Sequence, residues 1–141
     1  MLLRKKEEIE DWLNQYEIRN YEMIEDHKYG YVVNINRSVD LYNKKLKNIE
    51  VKFNKINGDF ACSDNELKSL EGCPEIVNGY FFCNNNKLIT LEGCPEIVKG
   101  DFTCNQNKLT TLKGCPKIIE GSFSCVNNQL KHLLCLNIKQ N

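Results

Sequence analysis

The side chains best suited to chemistry in this chain are its eight cysteines and two histidines. Zinc sites commonly draw their thiolates from Cys-x-x-Cys pairs, and the sequence contains no such pair. Only His27 and His132 could add imidazole ligands. The sequence therefore predicts no bound metal and no other cofactor. Cys135 lies outside the periodic positions of the other cysteines, so it alone is expected to be an accessible thiol.

Sequence motifs of the common catalytic sites are also missing. The chain has no Gly-x-Ser-x-Gly elbow, no phosphate-binding glycine loop and no His-Glu-x-x-His. Asp59 and Asp101 occupy equivalent positions of the repeat described below, but they lie two turns apart, about 10 Å at ~4.8 Å per turn. That distance is too long for a working carboxylate pair. We therefore predict no catalytic residues and a protein that is not an enzyme.

The cysteines belong to a repeat with a period of 21 residues. Columns that keep one residue type through four copies begin, in the first copy, at Gly58, Phe60, Cys62, Asn65, Leu67 and Leu70. Three copies then continue with Gly-Cys-Pro, at 72–74, 93–95 and 114–116. The consensus is Gly-x-Phe-x-Cys-x-x-Asn-x-Leu-x-x-Leu-x-Gly-Cys-Pro, and its regularity predicts a solenoid of stacked turns.

Alternation within the repeat predicts which side chains point inward. Phe60 and Cys62 are separated by single small or polar residues, which is the period of a strand, so we expect both to face the core. Leu67, Leu70 and Ile76 are expected to close the far wall of each turn. The asparagine column would satisfy backbone groups at the bend, because an amide carries two donor hydrogens and an acceptor oxygen.

This unit resembles a leucine-rich repeat in which phenylalanine and cysteine replace the first two leucines. It is most similar to the short-period repeats, ending in Gly-Cys-Pro, of bacteria and of bacteriophages or prophages. The resemblance covers residues 58–133, and the period lies in the family range. It implies an α/β-type repeat solenoid, leucine-rich-repeat-like, with a parallel β ladder and an asparagine ladder.

The chain divides into a helix and β-hairpin cap at 1–36, a degenerate repeat at 37–57, four repeats of leucine-rich type at 58–134 and a tail at 135–141. One apolar face of a helix over roughly residues 4–17 is formed by Ile9, Trp12, Leu13 and Tyr16. Two strands, Tyr21–Ile24 and Tyr31–Ile35, follow around a turn at Gly30. Such a cap is expected because an open solenoid end exposes apolar columns.

The balance of charges restricts the classes of partner. Nineteen Lys and Arg residues match nineteen Asp and Glu residues, and no column of the repeat is basic, so direct binding of nucleic acid is not expected. The apolar runs are far shorter than a membrane span, which excludes a membrane partner. Arg4, Lys5 and Lys6 directly follow the first three residues and leave no signal-peptide core. The sequence therefore predicts a cytoplasmic location, that of a bacterial host if the protein is phage-encoded.

Columns that vary between copies indicate surface that is free to serve a partner. Tyr80 and Phe82 place two aromatic side chains on one turn of an otherwise small and polar face, as binding hot spots often do. The alternative is a pair of exposed rings without a function. The outward residues that we predict to contact a partner are Tyr80, Phe82, Asn84, Asp101, Thr103, Asn105 and Val126.

A second candidate surface is acidic. On the return side of the repeat, carboxylates stack on the early turns, which would be mildly destabilising unless a basic partner region contacts them. The alternative is an ordinary solvated face. This acidic patch consists of Glu71, Glu75, Glu92 and Glu96.

These features predict a module that binds another protein and acts by surface occlusion. The resemblance implies an inhibitor of a host defence system, such as an anti-CRISPR protein that blocks a nuclease. A second copy of the chain is a further candidate partner, which would give a homodimer. The alternative function is a structural or assembly protein that self-associates through its C-terminal turn.

Overall fold

Each 21-residue period contributes two short strands, and both strands stack on their copies in the neighbouring turns. The computed structural model describes residues 1–131 and the backbone of residues 139–140. It shows a parallel-strand β-solenoid of about four turns with one short helix. The predicted solenoid is therefore confirmed. Its repeats contain strands and turns, and the helix belongs to the N-terminal cap.

One sheet, here called the phenylalanine sheet, carries the repeated Phe at the start of its strands. Its strands are β3 (Val39–Asp40), β5 (Phe60–Ala61), β7 (Phe81–Phe82), β9 (Phe102–Thr103) and β11 (Phe123–Ser124). They pair in chain order, in parallel, with Phe60 opposite Phe81 and Phe81 opposite Phe102. Neighbouring strands are therefore offset by one period of 21 residues, so each residue lies beside its copy in the next turn.

The second sheet, here called the isoleucine sheet, follows the Gly-Cys-Pro turn. Its strands in order are β1 (Tyr21–Asp26), β2 (Gly30–Ile35), β4 (Phe53–Ile56), β6 (Ile76–Val77), β8 (Ile97–Val98), β10 (Ile118–Ile119) and β12 (Lys139–Gln140). Ile76 was expected to close the far wall, and the structure corrects this: Val77 is fully buried, whereas Ile76 is half-buried. Because side chains alternate along a strand, only one of the two neighbours can point inward.

The N-terminal cap agrees with its prediction. Helix α1 spans Lys6–Gln15 and buries Ile9, Trp12 and Leu13 against the core. Strands β1 and β2 form an antiparallel hairpin, and β2 then pairs in parallel with β4 of the first turn. The cap thus supplies a strand partner and an apolar cover to the N-terminal end. No helix in the part of the chain that the structure describes has the length and apolar character required to span a bilayer.

A column of aromatic rings fills the centre of the solenoid. Phe60, Phe81 and Phe102 are completely buried, and successive ring centroids lie 5.7 Å and 5.2 Å apart. Phe53 continues the column below Phe60, and Trp12 of the cap packs edge-on against Phe53 at 6.3 Å. Burial of each phenylalanine contributes roughly 1.5–3 kcal/mol, so this column is a main source of stability.

The asparagine column lies at the corner where each phenylalanine strand ends, as predicted. The Asn86 side chain donates to the carbonyl oxygen of Cys62 on the preceding turn at 3.0 Å and to that of Cys83 on its own turn at 3.3 Å. Its Oδ1 accepts the backbone N–H of Leu67 at 3.0 Å. Asn107 repeats this pattern one period later. The amide therefore satisfies backbone groups that no strand can pair.

We predict that Asn86→Ala lowers the free energy of unfolding by about 1 to 3 kcal/mol, because it leaves buried backbone groups without partners. The matched control is Asn84→Ser, since Ser63 already accepts the equivalent backbone N–H with its hydroxyl oxygen. That control should change the free energy by less than about 0.5 kcal/mol. Urea unfolding measures both variants, and equal unfolding midpoints would show that the corner does not depend on the amide.

Candidate functional site

The outward surface of the phenylalanine sheet, here called the outer face, contains all the residues predicted to contact a partner. Each turn contributes three outward residues, at alternate positions of 38–42, 59–63, 80–84, 101–105 and 122–126. Tyr80 is 46% exposed and Val126 is 60% exposed. The other predicted residues, Phe82, Asn84, Asp101, Thr103 and Asn105, are half-buried. The structure therefore brings the predicted set onto one surface.

Tyr80 and Phe82 form one aromatic pair on that face. Their ring centroids are 5.7 Å apart, and the rings are inclined at 64° in an edge-to-face arrangement. The Tyr80 ring extends over Gly100 of the next turn, where an added Cβ would collide with its Cδ1 atom. The repeated glycine at this position thus leaves room for the outward side chain of the turn before it. The Tyr80 ring therefore packs against Phe82 on its own turn and over Gly100 on the next turn.

At the equivalent position of other turns, the outward side chain accepts a backbone hydrogen bond. Asp59 Oδ1 accepts the N–H of Tyr80 at 2.8 Å, and Asp101 Oδ1 accepts the N–H of Ser122 at 2.8 Å. Ser38 Oγ does the same for Asp59 at 2.9 Å. Tyr80 places a ring where these residues place an oxygen, so the N–H of Asp101 has no side-chain acceptor among the described residues. Three of the other four members of the column accept a backbone N–H of the next turn, and Tyr80 does not.

The next polar column also serves the backbone. Asn84 Oδ1 accepts the N–H of Asn105 at 2.7 Å, and Asn105 Oδ1 accepts the N–H of Val126 at 2.7 Å. Ser63 Oγ begins the series by accepting the N–H of Asn84 at 3.0 Å. These two asparagines, predicted as partner contacts, therefore already have a structural role. Thr103 differs, because its buried Oγ1 has no hydrogen-bond partner among the described residues.

One exposed aromatic residue of the outer face was not predicted. Tyr42 is 51% exposed and occupies the position equivalent to Ser63, two turns before Asn84. Its phenol hydrogen-bonds the Asp64 carboxylate, and this bond with the nearby negative charge raises the pKa of Tyr42. The signal was present in the sequence, since subtracting one period from Ser63 leads to Tyr42. It was missed because the first turn departs from the consensus.

The acidic patch is largely neutralised by lysines. Glu92 pairs with Lys113 at 3.2 Å. Glu96 pairs with Lys117 at 3.1 Å. Each of these pairs joins the same repeat position on successive turns, so the glutamate of one turn stacks with the lysine of the next, while the early turns keep Glu71 next to Glu92 and Glu75 next to Glu96 in the same columns. The pairs are exposed, and each contributes little to stability.

Glu75 pairs with a lysine that is almost completely buried. Lys52 Nζ lies 2.9 Å from Glu75 Oε1, donates to the carbonyl oxygen of Cys73 and faces the Tyr29 ring at 5.5 Å. These groups line a groove of about 530 Å³, together with Glu71. The Lys52 ammonium group is thus paired with the Glu75 carboxylate and faces the Tyr29 ring, so its charge is already compensated and is not available to a ligand.

The cysteines among the described residues lie in two columns of the solenoid. Free thiols are buried at Cys62, Cys73, Cys83 and Cys104 and half-buried at Cys94 and Cys125. Burial raises the pKa of Cys83, Cys94 and Cys104, which disfavours the nucleophilic thiolate. Among the described residues, no group of three or more His, Cys, Asp or Glu side chains could hold a metal ion.

One cysteine of these columns differs from the free thiols in its covalent state. Cys115, in the last Gly-Cys-Pro turn, is disulfide-bonded. It is half-buried, whereas its first counterpart, Cys73, lies in the middle of the stack and is fully buried. Cys135 and His132, the other residues considered for chemistry near the C-terminus, lie outside the described residues.

No protein-family model matches the chain, and comparisons with curated proteins and with solved structures give no significant match. Functional inference therefore depends on the residues of the chain itself.

We predict that the buried thiols react slowly in the native protein. Iodoacetamide at pH 8 should leave Cys62, Cys83 and Cys104 unmodified until denaturant is added, because they are inaccessible and are thiols at that pH. Peptide mass spectrometry measures the modified fraction at each position. Rapid native labelling of these three cysteines would overturn their assignment to the core.

We also predict that Tyr80 is not required for stability. Tyr80→Asn should leave the free energy of unfolding unchanged or raise it by up to about 1 kcal/mol, because the amide oxygen can accept the N–H of Asp101. Asp101→Ala, which removes the acceptor for Ser122, should lower it by about 1 kcal/mol. Chemical denaturation compares the two, and a loss above ~2 kcal/mol in Tyr80→Asn would make the ring a structural element.

Proposed function

We propose that the chain is a protein-binding module that acts by occupying its partner's surface with the outer face. The observation that carries this proposal is the Tyr80–Phe82 pair on the outer face, in which Tyr80 is exposed and Phe82 is half-buried. Tyr80 occupies the position at which Asp59 and Asp101 provide a side-chain acceptor. A residue that departs from the pattern of its repeat without adding a stabilising contact is expected at functional sites. Aromatic side chains held in place also lose little conformational entropy when they bind.

The size of the outer face sets how much further contact is required. The five strands of the phenylalanine sheet, at ~4.8 Å spacing and with three outward residues each, give roughly 400 Å², about half of a standard interface on one partner. Tyr42 and Val126 lie on the first and last turns of the face and extend its apolar surface beyond the aromatic pair. We propose that neighbouring loops or the N-terminal cap complete the interface.

The resemblance to short-period leucine-rich repeats supports a binding role, because solenoids of this kind present extended surfaces to partners. In its most specific form, the proposal is a cytoplasmic, phage- or prophage-encoded inhibitor that occludes a host defence protein. An RNA-guided nuclease is one such target, which would make the protein an anti-CRISPR protein. This form follows from the resemblance, and the aromatic pair supports the general binding role.

A second candidate function is self-association through the C-terminal end of the phenylalanine sheet. Phe102 and Cys104 donate their N–H groups to Ser122 and Ser124 on the next turn. The N–H group of Phe123 on the last turn has no acceptor among the described residues. Unpaired strand edges are sites of strand addition, so this edge favours an assembling protein. Sedimentation velocity distinguishes the two functions, since open-ended assembly gives a mass that grows with concentration.

The binding function predicts that Tyr80→Ser with Phe82→Ser weakens partner binding at least about thirtyfold, which corresponds to about 2 kcal/mol. Serine already occupies the equivalent positions Ser122 and Ser124, so the fold should persist. The test compares the parent and this variant in affinity capture from a bacterial lysate. Proteins that the variant fails to capture are then purified and titrated against both.

The matched control is Ile24→Ser with Ile89→Ser, which removes two exposed apolar side chains outside the outer face. This control should weaken binding by less than about threefold, because Ile24 and Ile89 lie outside the centre of the proposed interface, where truncation costs little. Equal affinity of the aromatic variant and the parent for a purified partner would refute the proposal that the outer face is the interface.

A further inference from the structure

We infer that the outer face recognises an arginine-bearing basic segment of its protein partner. This inference rests on the proposed function, because it assigns a chemistry to the partner of the same surface. It follows from the sign of the charges on the face, from the position of the aromatic pair between them and from the pairing of charges elsewhere in the chain.

The outward positions of the outer face carry only one sign of charge. They include Asp40, Asp59 and Asp101, and they include no Lys, Arg or His residue. The chain as a whole contains nineteen basic and nineteen acidic residues. The negative sign of the face is therefore a local feature of the repeat, and it favours a cationic partner while it opposes nucleic-acid phosphates.

These aspartates differ from Glu75, Glu92 and Glu96 of the return side, which form ion pairs with lysines. In the part of the chain that the structure describes, the four ion pairs all join a lysine to a glutamate. None includes an outer-face aspartate. The solenoid thus pairs three of the four glutamates of the acidic patch with lysines and pairs none of the outer-face aspartates in this way, which is the pattern expected of a surface complementary to a basic partner.

The aromatic pair lies between two of these carboxylates. Asp59 is on the turn before Tyr80 and Asp101 is on the turn after it, so each is about one turn, ~4.8 Å, along the ladder. Each carboxylate uses Oδ1 for a backbone N–H group, and a carboxylate has a second oxygen with further acceptor capacity. A cation bound at Tyr80 would therefore have an aromatic ring and two carboxylates as neighbours.

This combination favours arginine over lysine. A guanidinium group can stack on an aromatic ring while its N–H groups donate to a carboxylate in its plane, whereas an ammonium group is a compact and strongly hydrated point charge. The edge-to-face arrangement of Tyr80 and Phe82 offers ring surface at the same turn. We therefore assign the position above Tyr80 to an arginine side chain of the partner.

The test uses the full chain and three fluorescein-labelled peptides, which are six repeats of Arg-Gly, of Lys-Gly and of Glu-Gly. Fluorescence anisotropy in 0.15 M salt should show binding of the arginine peptide, at least about fivefold weaker binding of the lysine peptide and none of the glutamate peptide. The key variant is Asp59→Asn with Asp101→Asn, because an asparagine oxygen can still accept the backbone N–H groups while the charge is removed.

We expect this variant, and separately Tyr80→Ser with Phe82→Ser, to bind the arginine peptide at least about tenfold more weakly than the parent. The control Glu71→Gln with Glu92→Gln removes the same number of charges outside the outer face and should stay within about twofold. Circular dichroism melting establishes that each variant is folded. A loss in both test variants with little change in the control supports the inference.

Parent-like binding by the aspartate variant, or an equal loss in the glutamate control, would overturn the inference, since attraction would then reflect overall charge. The proposed function can be judged separately. If a captured partner loses affinity in the aromatic variant but not in the aspartate variant, the outer face is the interface and its preference for arginine is wrong. If neither variant weakens that partner, both conclusions fail.

Discussion

The asparagine at the corner of each turn is the interaction on which the rest of the solenoid depends. There the chain leaves the phenylalanine sheet, and the backbone groups of the bend have no strand partner. The residue before the asparagine adopts a left-handed conformation, with φ near 54° at Asn85. Such a bend can be buried only because the Asn86 amide bonds the carbonyl oxygens of Cys62 and Cys83 and the N–H of Leu67. Without it, neighbouring turns could not stack tightly.

Tight stacking at an invariant period has consequences for both sides of the sheet. On the inside, each Phe packs against its own copy, so one choice of residue fills the core of every turn. On the outside, side chains stand only about one strand spacing from their copies, so two of the three outward columns bond the backbone of the next turn. Six of the fifteen outward side chains reinforce the ladder in this way. Residues that contact a partner are therefore expected among the outward side chains that make no hydrogen bond to the next turn.

How much of this could be predicted depended on the strength of each sequence pattern. The inward Phe and Cys columns and the asparagine corner were predictable because four copies and strict alternation fix their direction. The isoleucine sheet was not, since strands of two residues such as Ile76–Val77 are too short to show alternation. The lysine partners of Glu92 and Glu96 were visible in the sequence, but whether stacked charges attract depends on the contacts between turns. The role of Asn84 was hidden for the same reason.

The outer face combines these constraints into a specific form of recognition. Because the ladder fixes the turns, the distance from Tyr80 to the carboxylates of Asp59 and Asp101 is set by the backbone and does not have to be created on binding. The same ladder loses a hydrogen bond at Asp101 where Tyr80 replaces an acceptor. Among the described turns, the turn that lacks this hydrogen bond is the one that carries the aromatic pair. Selection for binding can retain such a loss of stability in a repeat that is otherwise selected for stacking. Recognition should therefore depend on this turn and its two neighbours more than on the total charge of the face.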